Sequence, residues 1–510
     1  MEKKIILKNI SKVAGSTLVS RIFGYCRDMA IAHFFGAGFV ADAFYVAYRI
    51  PNLLRRLLGE GALVASFIPV YTDYLEHKSQ EERQKFLNTV FSCLITILVC
   101  VTILGIIFAP FIVRLLAPGF VDDSEKVRLV IILTRVMFPF FVAVGSAALL
   151  MGILYAHHIF IYSALSSCFL SISQLGFIFF LCPRVERPIL WLAMSVVLGG
   201  FLQAAFQLIP LLKKKINLNF TFDWKNTGLQ KVGFLMIPAA LGASVDQVSA
   251  FVDVIFASYL KEGSVSALYY ANHLMLLPLA LFGIAVSAVS LPVLSKSSAY
   301  ENLEKLKSQL IDNLNIMTYF IIPSTIGLFV LATPIIRLLF ERGQFGASAT
   351  IMSSYALKFY ALGVLAYASV KIVATAYYSL KDTKTPVKVA VFSVFCNIIL
   401  NILLMKPLEL GGLALATAIS SGLNAILLLY FLSKKIGSLG IFNDLTNFFK
   451  IIMSGFCMGF IIDWASQICS FQKFFAVFVP IFIGAIFYFL ITYFLKVKEI
   501  TYIIKNIKTN

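Results

Sequence analysis

Five arginines lie near the start of the chain, at Arg21, Arg27, Arg49, Arg55 and Arg56, and the same stretch holds three acids, Asp28, Asp42 and Glu60. A guanidinium is a planar fork whose donors match the oxygens of phosphate and pyrophosphate, so this set reads first as a clamp for a large anion. At helical spacing Asp42, Arg49 and Arg56 fall seven apart and share one face, with Asn52 about 40 to 80° away. Pro51 interrupts the ladder within that stripe and can turn Arg55 towards the same side. Arg21 and Asp28 are likewise seven apart. Asp28 and Asp42 can pair with Arg27 and Arg49 as glue between helices, which still leaves arginines in excess of acids. Further along, Asp246 and Asp253 share a helix face and His273 follows Asn272. The imidazole is either a hydrogen-bonded structural group or a charge that switches with pH. Asn397, Asn401 and Thr417, taken with Asp253, offer only oxygen ligands, which suits a hard cation such as Na⁺. Asn and Thr are equally ordinary glue between membrane helices.

These side chains must be positioned by elements that live in a bilayer. Of 510 residues, 60% are hydrophobic and 13% charged, too apolar for a water-soluble chain of this size. Apolar runs between residues 11 and 495 predict about fourteen membrane-spanning helices, an all-α polytopic membrane protein. The connections are too short for a soluble catalytic domain. Arginines exposed to lipid at helix centres would cost about 2.5 to 3.5 kcal/mol each, so those of the first two spans are expected to face water, one another or a ligand.

The net charge of +18 would suggest nucleic acid in a soluble chain. Here most loop Lys and Arg fall on the side of the termini, which by the positive-inside rule places both termini in the cytoplasm. The basic residues are thus spread as orientation signals rather than gathered into a nucleic-acid patch. The first span carries Arg21, Arg27 and Asp28 and has no small-residue cleavage site, so it reads as retained. Eight cysteines form no C-x-x-C pair and read as small buried hydrophobes; a Cys182–Cys469 bond stays open.

The two halves repeat. Ala109-Pro110 with Arg114-Leu115-Leu116 matches Thr333-Pro334 with Arg337-Leu338-Leu339, and Gly38-Phe39-Val40 matches Gly263-Ser264-Val265, at a nearly constant offset. This predicts two pseudo-symmetric six-helix lobes in parallel orientation, 1–215 and 216–435, followed by two helices and a cytoplasmic tail in 436–510. Such architecture places a substrate between lobes near the membrane midplane. No H-E-x-x-H, G-x-S-x-G, Walker loop or Asp-rich diphosphate motif is present, so no enzyme is expected.

Ser20-Arg21-Ile22-Phe23-Gly24, Arg27-Asp28, Phe35-Gly36-Ala37-Gly38, Asp42-Ala43-Phe44 and Pro51-Asn52-Leu53-Leu54-Arg55-Arg56 resemble the N-terminal signature of the MurJ (MviN) family. Ala117-Pro118-Gly119-Phe120, Tyr269-Tyr270-Ala271 and Lys384-Thr385-Pro386-Val387-Lys388 continue the likeness. That family comprises lipid II flippases of the multidrug/oligosaccharidyl-lipid/polysaccharide exporter superfamily. The resemblance implies fourteen spans in two lobes, a central cationic cavity, and a groove from the last two helices for an undecaprenyl tail. It also implies functional arginines at Arg21, Arg27 and Arg55 with acidic partners Asp28 and Asp42. His273 stands where the family usually has Arg, which opens pH-dependent binding. Asp253, Asn397, Asn401 and Thr417 resemble a sodium site of some members, with Asn401 replacing their Asp.

The expectation is therefore a flippase of the bacterial cytoplasmic (inner) membrane, acting as a monomer on lipid II, with Arg21, Arg27, Asp28, Asp42, Arg49, Asn52, Arg55 and His273 lining its path. No cofactor is expected beyond possible Na⁺ or proton coupling. A cation-coupled exporter would want an acid-rich cavity, and a polyprenyl-phosphate transferase would want a catalytic acid or His.

Overall fold

The computed structural model describes residues 2–57, 62–284, 303–440, 444–469 and 472–501. Every regular element among them is a helix. In order these are α1 (Glu2–Phe35), α2 (Phe39–Leu57), α3 (Leu63–His77), α4 (Gln80–Ile107), α5 (Ala109–Leu116), α6 (Ser124–Met137), α7 (Phe140–Ala156), α8 (Ile161–Gly176), α9 (Pro188–Lys213), α10 (Thr227–Ala257), α11 (Ser264–Pro278), α12 (Leu303–Val330), α13 (Ala332–Leu339), α14 (Ala347–Ser379), α15 (Lys384–Ile436), α16 (Leu445–Ile468) and α17 (Phe475–Phe494). Two compact units divide the chain at Val265 and Ser266.

Among the described residues, ten helical stretches are long and apolar enough to cross a membrane. α15 counts once among them, although its 53 residues form two arms. Pro407 removes a ladder bond and Glu409 takes φ +47°, so the helix breaks there. The expected first, second and seventh spans fall on α1, on α2 with α3, and on α10, which are helical.

The internal repeat is visible in the elements themselves. A 28-residue α4 and an eight-residue α5 are followed by a 33-residue helical stretch, Ser124–Ala156. About 223 residues on, a 28-residue α12, an eight-residue α13 and the 33-residue α14 follow in the same order.

Unit 1 packs around a stack of rings: Phe67 lies 5.2 Å from Tyr71 and 5.9 Å from Phe86, between α3 and α4. Leu98, Leu149 and Ile153 close this core. In unit 2, buried Tyr319 and Tyr488 join α12 to α17, the Tyr488 hydroxyl donating to the Tyr319 carbonyl at 2.7 Å. Around these cores the outward surface is apolar, as with Phe460 and Phe482 at 76% and 69% exposure, which suits contact with lipid tails.

Candidate functional site

α1 and α2 carry the arginine set, and their pattern explains why the charge is tolerated. Asp28 is fully buried and Arg27 is 9% exposed. The Arg27 guanidinium donates through Nε and Nη2 to Asp28 Oδ1 at 2.9 and 2.7 Å. A buried carboxylate survives only with such a partner. Arg21, a turn and a half earlier, is exposed. On α2 the Arg55 Nε donates to Asn52 Oδ1 at 3.0 Å, three residues earlier on the same helix face. Arg49 donates through Nη2 to the Ala250 carbonyl of α10 at 2.9 Å. The side chains of Arg56 and Asp246, and all of Glu60, lie outside the described residues.

Asp42 differs from the pairing expected on its helix. Its carboxylate accepts from Lys126 Nζ at 3.3 Å and from the Gly263 amide at 2.8 Å, while Arg49 reaches α10 instead. The reason is geometric: Asp42 sits in the first turn of α2, beside the start of α6, whereas Arg49 lies about 10 Å further along the axis. Both partners of the ion pair are withdrawn from solvent, their side chains 1% and 7% exposed. The Lys126 ammonium also lies 4.1 Å from the Phe120 ring centre and 5.6 Å from that of Phe39, a cation–π cradle that offsets part of its lost hydration.

Three more contacts close the same end of unit 1. The Phe39 amide donates to Glu262 Oε1 at 2.6 Å, and the Gly119 amide donates to Ser258 Oγ at 3.0 Å. Ser258 Oγ in turn donates to the Ile255 carbonyl at 2.7 Å. Any Cβ on Gly119 would run into the Ser258 backbone, which is why the Pro118-Gly119 turn needs glycine. Gly263 has φ +88°, a conformation that suits glycine and aims its amide at Asp42. The start of α2, the 117–126 turn and the 258–263 turn are thus latched together.

The sequence reading placed Asp42 in the site and passed over Lys126, Glu262 and Ser258. The helical position of Lys126 was legible, because Asp123 caps α6 by accepting from the Lys126 amide at 3.0 Å, the usual role of Asp before a helix.

In unit 2, His273 on α11 lies 5.5 Å from Tyr269, ring to ring. Asn397, Asn401 and Thr417 do come together and are buried. Asn401 Nδ2 donates to Asn397 Oδ1 at 3.0 Å, Asn397 Nδ2 donates to Thr417 Oγ1 at 3.3 Å, and Thr417 donates to the Leu413 carbonyl at 2.9 Å. Asp253 belongs to unit 1. Cys182 and Cys469 are free thiols.

Against solved structures, an inward-facing multidrug MATE transporter of the MOP superfamily shares the fold, with a TM-score of 0.71 over 84% of this chain and 98% of that one at 13% identity. The fold class is therefore that of a polytopic, all-helical membrane protein. A structure titled lipid II flippase MurJ, inward closed conformation, matches at a TM-score of 0.81 and 29% identity, covering 95% of this chain and 98% of that one. The family model described as lipid II flippase MurJ matches residues 31–485. A probable lipid II flippase MurJ of Buchnera aphidicola subsp. Schizaphis graminum is 35% identical over 511 residues, 98% of each chain. One of Vibrio cholerae is 35% identical over 83% of this chain and 82% of its own. The chain belongs to the MurJ lipid II flippase family, whose members are transporters and not catalysts.

Proposed function

We propose that this protein carries lipid II across the bacterial cytoplasmic membrane by alternating access, with no covalent step. The observation that carries the reading is the family match along nearly the whole chain, 98% of its length against one relative. The arginine set supports it, since Arg27 is held inside unit 1 by Asp28 and Arg55 is oriented by Asn52. In this reading Arg21, Arg27, Arg49 and Arg55 receive the pyrophosphate. The exposed apolar face of α17 runs beside the lipid tail.

The Asp42–Lys126–Gly263 latch holds one end shut while the headgroup enters from the other. Both termini lie in the cytoplasm, as the loop charges indicate, so the latched end faces outward. Its release lets the headgroup leave. Membrane potential supplies about 2.3 kcal/mol per charge per 100 mV.

The test is flipping of fluorescent lipid II in proteoliposomes of the purified protein, with potential, sodium gradient and proton gradient imposed in turn. Faster exposure than in protein-free vesicles, lost in Arg55→Ala, is expected. Exposure equal to protein-free vesicles under all three gradients would overturn the reading.

A further inference from the structure

The connection from α9 to α10 has no part in the transport reading, yet it is built with care. α9 stops in a left-handed turn: Lys215 takes φ +57°, its amide donates to the Leu212 carbonyl, and the Ile216 amide donates to the Leu211 carbonyl. The chain then runs beside α4. Gln84 Nε2 donates to the Asn217 carbonyl, the Asn219 amide donates to Asn88 Oδ1 at 3.1 Å, and the Thr221 amide donates to Ser92 Oγ at 2.7 Å. The partners advance together, so this strap climbs α4 for roughly 12 Å, away from the helix start. Asp223 then pairs with Lys85 at 3.1 Å and turns the chain back.

The strap has two faces. Ile216 and Leu218 pack on the core of unit 1. Phe220, Phe222 and Trp224 project outward, 65%, 55% and 60% exposed. Phe220 leans on Phe91 at 5.3 Å, and Phe222 stacks with Trp224 at 6.5 Å. Exposed lysines flank the row at 213, 214, 215 and 225, and Asp223, the acid among them, is already paired.

Position decides what covers this face. Val99 and Ile103 follow Ser92 by seven and eleven residues, hence on the same side of α4, and both are exposed on a span of strongly apolar composition. The strap therefore lies at the foot of a lipid-facing stripe. Aromatic rings beside lysines at that level match the polar boundary of a bilayer, where rings enter the headgroup layer and ammonium groups meet anionic lipid.

We propose that the 213–225 strap is a docking surface for a leaflet bearing anionic phospholipid, with Phe220, Phe222 and Trp224 inserted and Lys213, Lys214, Lys215 and Lys225 selecting the headgroups. This rests on α4 crossing the bilayer, and on neither lipid II nor the direction of insertion.

The test uses the full-length protein in vesicles whose two leaflets carry the same lipids, phosphatidylcholine mixed with phosphatidylglycerol. Either lipid is brominated in turn to quench tryptophan fluorescence. Subtracting the Trp224→Phe variant removes the signal of Trp191 and Trp464. Brominated phosphatidylglycerol is expected to quench Trp224 as though enriched about fivefold over phosphatidylcholine, one lysine's worth near an anionic surface. The selectivity should vanish in about 1 M salt, where screening acts within about 3 Å, and in the variant with all four lysines changed to Gln, while quenching itself remains. Equal quenching by both lipids overturns the anionic selectivity. Selectivity that survives the Gln changes overturns the lysine assignment. An unquenched Trp224 places the row in water or under a soluble partner and overturns the docking. Flipping is read separately, so its failure leaves these outcomes distinct.

Discussion

Lys126→Met should open the latched end of unit 1. At 3.3 Å and an effective dielectric near 20, the Lys126–Asp42 attraction is about 5 kcal/mol before desolvation is counted. Removing one partner of such a buried pair costs about 3–5 kcal/mol, chiefly because the other charge stays behind in a dry place. In an opened form both groups are hydrated and the substitution costs little. The closed-to-open ratio should then fall by a factor of about 100 or more, since each 1.4 kcal/mol is about tenfold. Ala117 is fully buried in the same end and serves as reporter: Ala117→Cys, with the eight native cysteines replaced, is labelled by a membrane-impermeant maleimide. Lys126→Met should speed labelling by about that factor, or to the limit of a fully open end. Asp42→Asn combined with Lys126→Met leaves no buried charge and keeps the acceptor for the Gly263 amide, so labelling should return to within about tenfold of the parent. Unchanged labelling in monodisperse Lys126→Met protein, or a double variant as open as the two singles added together, would refute the latch.

Other outcomes follow from the same contacts. Gly119→Ala drives a methyl into the Ser258 backbone and should break the hydrogen bond from the residue 119 amide to Ser258 Oγ, worth about 1 kcal/mol. Hydrogen exchange of residues 255–263 should accelerate about fivefold, and unchanged exchange would show that the turn yields without loss. Arg27→Ala strips the guanidinium from buried Asp28 and should lower the melting temperature as well as abolish flipping. Adding Asp28→Asn should restore the melting temperature and not the flipping, whereas full flipping in that double variant would make Arg27 purely structural. Burial pushes the Asp382 carboxyl up, but hydrogen bonds from Lys435 and Thr385 outweigh this and hold it at about 2, below its ordinary 3.8. The carboxylate is therefore stabilising above about pH 4, and that contribution is lost as pH falls through about 2. Thermal melts of wild type and Asp382→Asn should differ above pH 4 and converge in acid, and a difference that persists in acid would point to packing.

Residues that work within one helix were legible in the sequence, and residues that work between helices were not. Spans such as α4 and α12 show as apolar length, and their repeat shows because Arg114 and Arg337 recur at the same place in two eight-residue helices. The break in α15 shows as a gap in the apolar run, with Pro407 and Gly411 beside it. The face shared by Asp42 and Arg49 was also visible, yet a helical wheel carries no information about the neighbouring helix. Hence it paired Asp42 within its own charge set and missed Lys126, whose helix packs alongside. Asn88 and Ser92 carry no sequence signal of their role, because their partners are backbone amides of a strap about 130 residues away.

Counting Lys and Arg by side treats each as an orientation signal in water, and Lys126 is 5% exposed. A lysine near a helix end that gives up part of its hydration needs a local partner. Lys126 has one in Asp42, and so does Lys473, which donates to the Glu341 carbonyl at 2.9 Å and pairs with its carboxylate at 3.3 Å. Exposure separates their roles. The Lys473 side chain is 48% exposed and its pair is worth at most about 1 kcal/mol, whereas losing either partner of the dry Lys126 pair leaves a buried charge and costs about 3–5 kcal/mol.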